Sequence, residues 1–142
     1  MKTDLEIAKE RLKNGNLACV LIKGDTIFES SEHGVKPLLE CIDSGADYKG
    51  FSAADKIVGK AAALLYLLLG VTQIHAQIIS RPALELLQNH NIAVTFDTLT
   101  ENIHNRTNTG LCPIEQSVIC IEKPQDAVQI IKDTIKMLMN KK

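Results

Sequence analysis

The sequence predicts an α/β fold, a three-layer α-β-α sandwich around a mixed sheet of four to five strands. Short apolar runs alternate with amphipathic helical stretches along the chain, which is the pattern of strand–helix–strand units. The first two runs are separated by only Gly24-Asp25, so an antiparallel hairpin precedes those units and makes the sheet mixed, with helices on both faces. The 142 residues suit one domain, 1–142, with a single core, and no repeat, low-complexity tract or linker divides them.

The elements follow in order. Thr3 and Glu6 have capping-box spacing, Leu5, Ala8 and Leu12 form one apolar stripe, and Gly15 suits a helix end. Leu17 to Ile22 reads as a buried strand and Thr26 to Glu29 as its hairpin partner. Pro37 can open a short helix through Ile42, with Gly45 after it. Ser52 and Asp55 repeat the capping-box spacing, which predicts a long helix from about Ala53 to Leu69, closed by Gly70 and apolar on nearly all sides from Ala61. Ile74 to Ile79 is the third strand, Arg81-Pro82 leads into a helix through Gln88, and Ile92 to Phe96 is the fourth strand. The stretch from Asp97 to Leu111 is polar and loop-rich. Beyond Cys112-Pro113, helical spacing (Ile114, Val118, Ile121) competes with a strand reading of Val118 to Ile121, and the helix is preferred. Pro124 opens the final helix, with Val128, Ile131, Ile135 and Leu138 inward.

Composition narrows the function. Sixteen Lys+Arg against seventeen Asp+Glu give a formal charge of −1, so there is no basic field for nucleic acid or anionic membrane. The longest apolar run, Ala61 to Val71, falls well short of the ~20 residues that span a bilayer. Charges occupy the first residues where a signal peptide needs an apolar stretch. Cys19, Cys41, Cys112 and Cys120 are scattered through apolar segments rather than dense as in a disulfide framework, and together these features predict a cytoplasmic protein.

Two segments are distinctive: Ser52-Ala-Ala-Asp-Lys-Ile-Val-Gly-Lys-Ala-Ala-Ala63 and Asn105-Arg-Thr-Asn-Thr-Gly-Leu-Cys-Pro-Ile-Glu115. With Ile78-Ile79-Ser80 between them, they resemble an uncharacterised, domain-of-unknown-function family of small bacterial and archaeal proteins. The resemblance covers most of the chain and implies a cytidine-deaminase-like fold rather than a particular reaction.

Zinc deaminases need a His or Cys ligand near the start of the second core helix, a Glu two residues later, and Pro-Cys-x-x-Cys at the next helix. The stretches expected to correspond, Ala53 to Lys56 and Ser80 to Ala83, contain Asp55 and Lys56 but no His, Cys or Glu. A catalytic zinc usually takes three protein ligands, and Asp55 supplies at best one. On a helix Cys112 and Cys120 would stand roughly 12 Å apart, too far to share an ion. His33, His75, His90 and His104 show no paired ligand spacing and read as surface or internally satisfied residues. Gly59-Lys60 fails the Walker pattern, because positions 54 and 61 are alanine. No metal and no cofactor is expected, and the chain is not expected to be a zinc-dependent deaminase.

The expected site joins the start of the Ser52 helix, Ser80, and the Asn105 to Glu115 segment, and it binds a small anionic or nucleotide-like molecule. Lys56, Lys60 and Arg106 would hold negative charge, while Asp55, Asn105 and Glu115 orient polar groups. Glu115 can equally cap its own helix by reaching back to a backbone amide, and the lysines can be a solvated edge. A glycine inside a helix costs about 1 kcal/mol, which close approach by a ligand or backbone at Gly59 would explain. Two rivals stand beside this reading. One is a metal-independent enzyme using Cys112, at a helix N-cap, as nucleophile or Asp55 as base. The other is an interaction module in which the same residues form the contact of a homo-oligomer.

Overall fold

The computed structural model describes residues 2–32, 34–101 and 112–140. The chain runs α1 (Asp4–Asn14), β1 (Cys19–Lys23), β2 (Thr26–Ser30), α2 (Lys36–Ser44), β3 (Ser52–Val58), α3 (Lys60–Leu69), β4 (Gln73–Ser80), α4 (Arg81–Asn89), β5 (Ala93–Thr100), α5 (Pro113–Ser117) and α6 (Pro124–Asn140). Five strands form one sheet in the order β2-β1-β3-β4-β5. β1 is antiparallel to both β2 and β3, whereas β3, β4 and β5 run parallel. The mixed three-layer sandwich is thus present.

The termini read from the sequence lie where their capping chemistry puts them. Thr3 Oγ1 accepts from Glu6 N at 3.2 Å, satisfying one of the amides a helix start leaves open. Gly45 and Gly70 end α2 and α3 with φ of 74° and 83°, a left-handed conformation that glycine adopts without a Cβ penalty. Pro113 and Pro124 open their helices.

One long element is corrected. The predicted helix from Ala53 to Leu69 is two elements, a strand to Val58 and a helix from Lys60, hinged at Gly59. Ser52 Oγ does not cap anything there; it donates to Gln73 Oε1 on the neighbouring strand at 3.4 Å. β3 sits between β1 and β4, so forming a helix at Ser52–Val58 would leave one edge of each of those strands unpaired. That tertiary demand outweighs the helix propensity of Ala-Ala-Asp-Lys. The polar stretch after Phe96 also begins as strand, since β5 continues to Thr100.

The layers are unequal. On one face only α1 packs among the described residues, with Ala8 and Leu12 against Val20, Ile22 and Ala54. The other face carries α2, α3, α4 and α6 over a larger core that includes Leu38, Leu64, Leu65, Leu87 and Ile131. Alternation along β1 divides the two: Val20 and Ile22 face α1, Cys19 and Leu21 the larger core.

The parallel strands break that alternation together. Core-facing positions are Ala53 and then Val58 in β3, Ala76 and then Ile79 in β4, Val94 and then Leu99 in β5. Each interval is odd, so the inward side changes parity once in every strand. Cross-strand pairing skips Lys56, Gln77 and Asp97, and resumes in the same register beyond them. The paired Ile57 and Ile78 are left on the outside, 48% and 37% exposed.

Candidate functional site

In the parallel half of the sheet, ligand sites of such folds lie at the carboxyl ends of the strands, beside the N-termini of the following helices. At the end of β3 the chain passes through Gly59 directly into α3. Gly59 is the N-cap and has no side chain to satisfy the first amides of α3. Glu115 of α5 does this instead. Its Oε1 accepts from Lys60 N at 2.6 Å and its Oε2 from Ala61 N at 3.0 Å. A Cβ at residue 59 would collide with that carboxylate, so glycine is required for the close approach. Lys60 Nζ donates to Ile119 O at 2.7 Å and ties the same turn to the chain beyond α5.

Burial dominates the electrostatics of this carboxyl. Burial pushes the Glu115 carboxyl up from its ordinary value, while the two amides and the Lys60 charge pull it down. Hydrogen bonds to a charged group contribute about 1.5–3 kcal/mol each, and the helix dipole adds to them. Glu115 therefore caps a helix, but α3 rather than its own.

A second carboxyl lies deeper. Asp55, on β3 and buried, accepts from Tyr66 Oη at 2.6 Å through Oδ2 and from Ile57 N at 3.1 Å through Oδ1. Cys19 Sγ lies 3.5 Å from the same hydroxyl. Burial pushes Asp55 up to about 7, with the Tyr66 and backbone hydrogen bonds opposing the shift. Tyr66 and Cys19 are themselves raised well above their ordinary values, first by burial and then, for both, by the Asp55 charge. Asp55, Tyr66 and Cys19 thus form one hydrogen-bonded cluster within an otherwise apolar core.

The remaining expected residues divide. Ser80 ends β4 as the N-cap of α4, its Oγ accepting from Ala83 N at 3.3 Å. Lys56 is parted from Lys60: its Nζ donates to Asn16 Oδ1 at 3.4 Å, on the side of β1 and α1. The expectation that Lys56 and Lys60 share the start of one helix is corrected for this reason, since Lys56 belongs to a strand. Cys112 is the N-cap of α5, half-buried, and makes no capping hydrogen bond with its side chain. Asn105 and Arg106 lie outside the described residues. Sequence reasoning missed Tyr66, although a lone hydroxyl in the apolar run Lys60–Leu69 is a usable signal, because a buried tyrosine needs a partner.

The correction at β3 also moves the helix start at which a deaminase would carry ligands. The residues there are Gly59, Lys60 and Ala61, and at α4 they are Ser80, Arg81, Pro82 and Ala83. Among the described residues no three His, Cys, Asp or Glu side chains are grouped as a metal site would require. No helix among them is long and apolar enough to cross a membrane.

Sheet order and layers define an α/β protein with a deaminase-like fold. The dCMP deaminase of the cyanophage S-TIM5 has the related architecture: TM-score 0.51 and 14% identity over 68% of this chain and 99% of that one. More specifically, residues 7–135 match the family described as TM1506, a domain of unknown function (DUF1893), and the chain belongs to that family. A DUF1893 family protein from Thermotoga maritima superposes with a TM-score of 0.85 and 28% identity, over 94% of this chain and 91% of that one. No curated protein matches.

Proposed function

We propose that the chain binds a small anionic or nucleotide-like molecule where β3 and β4 end and α3 and α4 begin. The observation that supports this is the grip of two α3 amides on the Glu115 carboxylate. A helix start that already holds a buried anion has the geometry for another, and Glu115 occupies the place where a ligand's carboxylate or phosphate would compete. The ligand's charge takes over the amides of Lys60 and Ala61, and Glu115 and α5 give way. A nucleotide-like ligand is further favoured by the likeness of fold to a dCMP deaminase. Thermal shift with nucleotides, nucleosides and phosphorylated metabolites tests it. Stabilisation of the wild type, weakened in Lys60→Ala/Arg106→Ala, is the expected result. No stabilisation by any of them, or equal stabilisation of the variant, rejects the site.

A second reading keeps this site and adds metal-independent acid–base chemistry by Asp55. It is favoured by a carboxyl pushed up to about 7, which can both take and return a proton near neutrality. Conversion of a bound ligand, followed by mass spectrometry, should then stop in Asp55→Asn while binding persists. Unchanged conversion in that variant removes Asp55 from any such role.

A further inference from the structure

The opposite face of the sheet holds a cleft remote from the start of α3. Between α1 and the strands β4 and β5 lies a volume of about 290 Å3, lined by Lys9, Glu10, Leu12, Lys13, His75, Gln77 and Asp97. His75 is buried on a central strand, and a polar ring there is costly unless partnered. Its Nδ1 lies 2.7 Å from Thr95 Oγ1, which fixes the ring. Its Nε2 stands 3.6 Å from Asp97 Oδ1, within ion-pair reach but longer than a hydrogen bond. In the tautomer in which Thr95 donates to Nδ1, Nε2 carries the hydrogen and faces Asp97 in the cleft.

Lys9 and Lys13 are one turn apart on the same side of α1. Neighbouring charges of this helix are neutralised, Glu10 by Lys2 and Arg11 by Glu29, both at 2.6 Å. Among the described residues neither Lys9 nor Lys13 has a carboxylate within ion-pair distance. The cleft therefore combines two ammonium groups that no carboxylate holds at ion-pair distance, beside the Glu10 and Asp97 carboxylates of its lining, with an imidazole fixed by Thr95, in a space near the lower limit for small-ligand sites.

We propose that this cleft binds a small phosphate monoester, its phosphate held by Lys9, Lys13 and His75 Nε2–H. Asp97, at the exposed rim, accepts from a hydroxyl or amino group on the organic part, and Leu12 covers its carbon atoms. Burial and the Lys9 charge together hold the imidazole below its ordinary value, so a bound dianion should raise it.

Glycerol 3-phosphate and inorganic phosphate serve as probes, titrated into the full chain while the imidazole resonances are followed by NMR, with His75→Asn assigning the signal. A saturable shift of the His75 resonances with either probe is expected, together with a raised His75 titration midpoint. Lys9→Ala/Lys13→Ala should weaken the response by roughly tenfold or more. No saturable shift with either probe overturns the proposal, as does an unchanged response in the lysine variant. A response lost instead in Lys60→Ala/Arg106→Ala overturns it as well, by placing the anion on the other face.

Discussion

Tyr66 reaches from the middle of α3 to Asp55 on the strand before it, its hydroxyl 2.6 Å from Oδ2, with both side chains enclosed by core. The carboxyl is held at about 7 against an ordinary value of 3.8. A folded-state value above the unfolded one means that the native state binds the extra proton. Stability from this group is present in full below about pH 4 and is lost as pH rises to about 7. The gap between those two values corresponds to about 4 kcal/mol. Asp55→Asn mimics the protonated form, so it should be more stable than the wild type at pH 8, by about 2–4 kcal/mol, and nearly equal to it at pH 4. Urea denaturation at the two pH values measures this, and equal stability at pH 8 contradicts it.

Tyr66→Phe removes the hydroxyl that opposes the shift. The loss should be about 1–3 kcal/mol. It should be greater at pH 8, where the carboxylate is charged, than at pH 5. A loss independent of pH would mean that the hydroxyl does not act through Asp55.

Gly59→Ala places a Cβ against the Glu115 carboxylate and should cost about 1–3 kcal/mol. Backbone strain plays no part, because φ at this position is −96°. Glu115→Ala should cost a similar amount by leaving two α3 amides uncapped. The double variant should lose less than the sum, and additive losses in a denaturation cycle would show that the two positions do not meet.

Ser80→Ala gives the contrast. Its hydroxyl caps α4, so the loss should be about 1 kcal/mol and flat between pH 4 and pH 8. A much larger loss would assign Ser80 a structural part beyond the cap.

Much of the fold is legible because its punctuation is local. Thr3 acts through a hydroxyl that reaches an amide three residues on, Gly15, Pro37, Gly45, Gly70, Pro113 and Pro124 through their own backbone, and the structure keeps all seven at helix ends. The segment Ser52–Val58 misleads because its local chemistry is that of a capped helix. What makes it a strand is β1 on one side and β4 on the other, and neither appears in a window of seven residues. The site suffers more from this than the fold does. Asp55 and Glu115 are both legible as candidates, but their partners are not. Tyr66 is eleven residues from Asp55 and on a different element, and the Glu115 carboxylate crosses to amides fifty-four and fifty-five residues away. His75 is read from the sequence as a surface or internally satisfied residue, and nothing nearby in the sequence points to Thr95 or to the α1 lysines.

The shared change of side in β3, β4 and β5 makes those three strands change only in lockstep. Deleting one residue from Lys56–Ile57 alone would restore strict alternation in β3 and keep Val58 inward, but would slide Val58 out of register with Ile79 of β4. A change in the spacing from Ala53 to Val58, Ala76 to Ile79 or Val94 to Leu99 therefore keeps the register only when the neighbouring strands change with it.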